Sequence, residues 1–142
     1  MSTKFEFEGG RTLTVDADNQ RVDAYFGHAT ETPEESTALA EWIFESFEKG
    51  TEGNEKPFCV VADMSDLDDS TLTSDGAKVI YTKQVLANER IDHFIFVTRS
   101  HGMKMLLGLL VRISGRAARI HVVDTKKAAE EAFQKWQESQ QA

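Results

Sequence analysis

Cysteine, proline and long apolar runs are nearly missing from this chain. One cysteine, Cys59, stands alone among 142 residues, so no internal disulfide forms and no cysteine-rich metal site is built. Its neighbours Phe58, Val60 and Val61 mark it as a small core thiol rather than a reactive one. No apolar stretch approaches the roughly 18 residues of a membrane span, and stable membrane insertion is not expected. The start Met-Ser-Thr-Lys-Phe-Glu shows no cationic segment leading into an apolar one, so a cytoplasmic location is expected. Positive charge is also scarce. Lys and Arg number 16 against 24 Asp and Glu, and this net charge of -8 argues against a general nucleic-acid binder. The four histidines lack zinc-site spacing, and no nucleophile elbow, phosphate loop or dinucleotide fingerprint appears. No metal, cofactor or catalytic residue is therefore expected.

What is present reads as one α/β domain. Phe5 and Phe7 alternate with charged residues, Gly9-Gly10 supplies a turn, and Leu13 and Val15 alternate with threonines. After a polar turn over Asp16–Gln20, Val22, Ala24 and Phe26 share one face of a third strand, giving an antiparallel meander. Thr32-Pro33-Glu34-Glu35 is a helix start with a hydroxyl cap, proline in the first turn and carboxylates on the positive end of the dipole.

A strand–loop–helix unit then repeats. Phe58–Asp63 leads through an acidic break into a helix capped by Thr73 or Ser74, with Gly76 or Ala77, Val79, Ile80 and Leu86 inward, ending near Asn88. A strand over Asp92–Thr98 leads to a helix capped by Ser100, carrying Met103, Leu106, Leu107, Leu110, Val111 and Ile113 inward and closed by Gly115. Ile120–Val123 precedes a last helix capped by Thr125, with Ala128, Ala129, Ala132, Phe133 and Trp136 in one stripe. This succession calls for parallel strands, and so for a mixed sheet with about four helices.

The ordered motifs resemble the SpoIIAA-like STAS proteins over most of the chain. They are Phe26-Gly27-His28-Ala29-Thr30 before the Pro-Glu-Glu start, Val60-Val61-Ala62-Asp63-Met64-Ser65-Asp66-Leu67, the Ile91–Val97 strand, Ile113-Ser114-Gly115, Arg119-Ile120-His121, and Ala128-Ala129 through Trp136. The resemblance implies a single STAS-like domain over residues 1–138 with a flexible tail at 139–142. It also implies a non-catalytic regulatory or protein-interaction module in bacterial signalling, with an unidentified protein partner. In the wider STAS group an Asp-Ser-Ser/Thr-Gly loop carries a regulatory phosphate. Here Asp69-Ser70-Thr71-Leu72 stands in its place without the glycine, making Ser70 the nearest phosphoacceptor, with Thr71 beside it and Ser65 at the strand end.

Two neighbouring surfaces of opposite charge follow from the residues. Asp63, Asp66, Asp68 and Asp69 form an acidic partner surface, and the loop lacks the glycine and terminal glutamate of a calcium-binding loop. Arg99, Ser100 and His101, at a helix start, are placed to hold a small anionic or amphipathic ligand. Alternatively, Arg99 pairs with an acid and Ser100 simply caps the helix. The Met103–Val111 stripe serves core packing or a lipid pocket, while Met105 and Leu109 widen the apolar surface enough for a homodimer contact.

Overall fold

The alternating first 25 residues form three antiparallel strands, β1 (Ser2–Phe7), β2 (Arg11–Asp16) and β3 (Arg21–Tyr25). The structure, a computed structural model, describes residues 2–141. Three parallel strands continue the sheet: β4 (Phe58–Asp63), β5 (Ile91–Val97) and β6 (Ile120–Val123). The strand order is that of the chain, β1 to β6. Each crossover steps the same way, so α1 (Pro33–Gly50), α2 (Asp75–Ile80) and α3 (His101–Ser114) lie on one face. The other face receives α4 (Lys126–Gln141), which sets Ala129, Phe133 and Trp136 against Cys59, Val61, Ile95 and Val97. Helices on both faces of a mixed sheet make this an α/β fold, as the periodicities predict.

The expected caps form. Thr32 accepts from the Glu35 amide, Ser74 from Ala77, Ser100 from Met103 and Thr125 from Ala128, each at 3.0–3.1 Å. Gly115 ends α3 in the left-handed region at φ 73°. Cys59 is fully buried, and desolvation pushes its thiol pKa up to about 12.

Three expectations are revised. The helix after Ser74 is α-helical only to Ile80 and continues as a π-helical segment over Tyr81–Leu86. The wider turn puts Ala77, Thr82 and Leu86 inward, whereas Val79 is 52% exposed. Ile113 is 63% exposed, on the outer side of α3 with Met105 and Leu109. Finally, α4 runs on through residues 139–141, because Glu138, Gln140 and Gln141 are adequate helix formers with no breaker between them; Ala142 lies outside the described residues.

Candidate functional site

The carboxyl ends of the parallel strands open at one edge of the sheet, the usual place for a site in open α/β folds. The loops there are 26–32, 64–74 and 98–100. The acidic loop is folded by its own short bonds. Asp63 accepts from the Ser65 hydroxyl at 2.6 Å and amide at 3.0 Å, and its other oxygen lies 3.2 Å from Lys126 Nζ. Burial raises the Asp63 pKa, but these donors outweigh it and the carboxyl titrates below its usual value. Asp68 accepts from the Ser70 hydroxyl at 2.5 Å and amide at 2.9 Å, which lowers its pKa, while its own amide donates to Thr71 Oγ1. The Tyr25 hydroxyl donates to Asp66, and that bond raises the pKa of the phenol. Ser65 and Ser70 are exposed and Thr71 is half-buried.

The two charged surfaces meet. Asp69 Oδ1 accepts from the Ser100 hydroxyl at 2.6 Å and from the Gly102 amide at 3.1 Å, so the chain's own carboxylate sits at the α3 N-terminus. Those bonds hold Asp69 below its ordinary pKa, helped by His101. A Cβ on Gly102 would lie 3.3 Å from Asp69 backbone atoms, so this approach suits glycine. Arg99 turns elsewhere, its Nε donating to the Asp124 carbonyl at 3.4 Å, and Asp124 is bridged by Lys104 at 2.8 Å. Arg99, Ser100 and His101 therefore do not converge on open space: Ser100 is engaged by Asp69 and Arg99 points toward β6.

Behind this edge lies a cavity of about 90 Å³ between the sheet and α1–α3. Its floor contains Ala24 and Ala62, which are register partners on β3 and β4, so two small side chains leave a hollow among Phe26, Val60 and Phe96. Leu39 and Ile43 of α1, Tyr81 and Val85 of the π segment, and Met103 and Leu107 of α3 wall it. Leu67, Thr71, Leu72 and Thr73 of the acidic loop close it beside His28 and Thr30. The core-or-pocket alternative for the α3 stripe thus has a mixed outcome: Met103, Leu106, Leu107 and Leu110 do both, packing in the main core and lining the cavity. The α3 stripe is readable from sequence as a pocket wall, but the β3–β4 floor, Tyr81 and the π segment were not anticipated; the Ala24–Ala62 pairing becomes a signal only once strand register is known. None of Asp63, Ser65 or His101 lines the cavity.

Compared with known families, curated proteins and solved structures, the chain matches none. Its chemistry is therefore read from the site alone.

Proposed function

We propose that this protein is a non-catalytic regulatory module of the SpoIIAA-like STAS kind. In this reading, a small, mostly apolar molecule occupies the cavity, and occupancy sets the conformation of the acidic loop that a protein partner reads. The observation that carries the reading is the apolar hollow roofed by that loop: Leu67, Thr71 and Leu72 line it from the segment that also presents Asp66 and Asp68. A preformed, mainly apolar space of this kind favours apolar guests, because their transfer from water is gained without opening the core. The ligand seat thereby moves from the Arg99–Ser100 corner, taken by Asp69, into the core layer behind it.

Methylcyclopentane is the direct probe. Added to the labelled protein, it is expected to shift the NMR signals of Ala24, Ala62 and Leu107. In Ala62→Val, which fills part of the hollow, those shifts should collapse while stability rises by about 1 kcal/mol. Unmoved cavity signals in the wild-type protein would refute ligand binding. Partner capture is expected to weaken when Asp66 and Asp68 are both changed to Asn, and equal capture by both proteins would remove the acidic loop from the interface.

A further inference from the structure

Tyr81 is one of the polar residues in a mainly apolar cavity wall, with His28, Thr30, Ser36, Thr71 and Thr73. Its ring packs 6.2 Å from that of Phe26, and it lines the hollow at the start of the π segment. Among the described residues its hydroxyl has no hydrogen-bond partner. No fully enclosed side-chain nitrogen or oxygen there lacks a partner, so the Tyr81 oxygen borders free space. Desolvation holds the phenol's pKa well above its usual value, so the group stays an O–H donor throughout the physiological range.

A positive charge stands at the same corner. Arg11, itself buried, donates to the carbonyls of Phe26 at 2.9 Å, His28 at 2.8 Å and Glu8 at 2.8 Å, and among the described residues no carboxylate pairs with it. His28 also lines the cavity. Arg11 does not line the hollow, and its charge acts on the Tyr81 phenol through space.

Building on the cavity reading above, we infer that Tyr81 is the polar anchor of the cavity. Its hydroxyl donates to a hydrogen-bond-accepting oxygen on the guest, and the apolar body lies over Ala24 and Ala62. The ligand class is a compact molecule with a single carbonyl or similar acceptor on a small apolar body, given a hollow of about 90 Å³. The π turn supports the assignment. It brings Tyr81 and Val85 to the same wall, and such turns recur at functional sites.

Cyclopentanone and methylcyclopentane have equal numbers of heavy atoms and differ in the acceptor. NMR titration of wild type and Tyr81→Phe with each is expected to show the ketone weakened about fivefold by the substitution and the hydrocarbon changed less than twofold. In the wild-type protein the Tyr81 ¹³Cζ signal, which reports hydrogen bonding of the phenol, should move with the ketone and stay with the hydrocarbon. That second measurement needs no variant. If both probes bind and Tyr81→Phe leaves both affinities unchanged, or lowers both alike, with a still ¹³Cζ signal, the anchor is refuted and the cavity reading stands. If neither probe moves any cavity signal, both are refuted.

Discussion

Ser100 is the side chain on which the edge of the sheet turns. Its hydroxyl caps Met103 and binds Asp69, so one oxygen serves a helix and a loop 31 residues upstream. Ser100→Ala is expected to cost about 1 kcal/mol as a lost cap. It should also speed hydrogen exchange across residues 66–73, and Ser100→Thr should restore both. Denaturant titration with exchange mass spectrometry reads the two effects, and an unchanged loop in Ser100→Ala would show that Asp69 is held by Gly102 alone. The cap was legible because a hydroxyl directly before an apolar periodic run has a local reason to be there. The Asp69 contact was not, since nothing in a sequence tells which of several exposed aspartates folds back onto a distant helix.

The second helix shows where periodicity misleads at the scale of an element. A 3.6-residue repeat from Ser74 places Val79 inside, yet burial falls on Ala77, Thr82 and Leu86 because the register widens after Ile80. Thr82 helps to hold the widened turn: its hydroxyl donates to the carbonyls of Lys78 at 2.8 Å and Val79 at 3.2 Å. Thr82→Val keeps the shape and removes the donor. It is expected to cost about 1–2 kcal/mol in urea unfolding and to speed amide exchange over 81–87 selectively. Uniform exchange along the helix would mean that the hydroxyl has no special part in the π register. By contrast, the limits of β4 and β6 matched the reading to the residue, because short apolar runs bounded by charged residues and turns leave few choices.

Across the whole molecule, acid is the condition that tests the structure most broadly. His93 on β5 lies against His121 on β6, ring centroids 4.6 Å apart. Burial first, and then His121, lower the His93 pKa. A histidine depressed in the folded state contributes stability that is complete above its unfolded value, about 6.5, and is lost as the pH falls through the folded one. Asp63, Asp69 and Glu130, each lowered, add a further loss at more acid pH. Melting temperature is expected to decline from about pH 6.5 downward, and His93→Asn should flatten the upper part of that decline while leaving the acid limb. A wild-type profile flat between pH 7 and 5 would refute the His93 assignment. The fold was legible at this scale because the meander and the repeated strand–loop–helix units are local patterns. The floor of the cavity was not, since it depends on β3 and β4 pairing so that Ala24 meets Ala62. Successive residues of β4 and β5 face opposite layers of the fold. Val60, Ala62 and Phe96 border the hollow, while Val61, Ile95 and Val97, alternating with them, support α4. β4 and β5 are thus common to both packing layers, and a substitution that displaces them on the hollow side also reaches the contacts of the last helix.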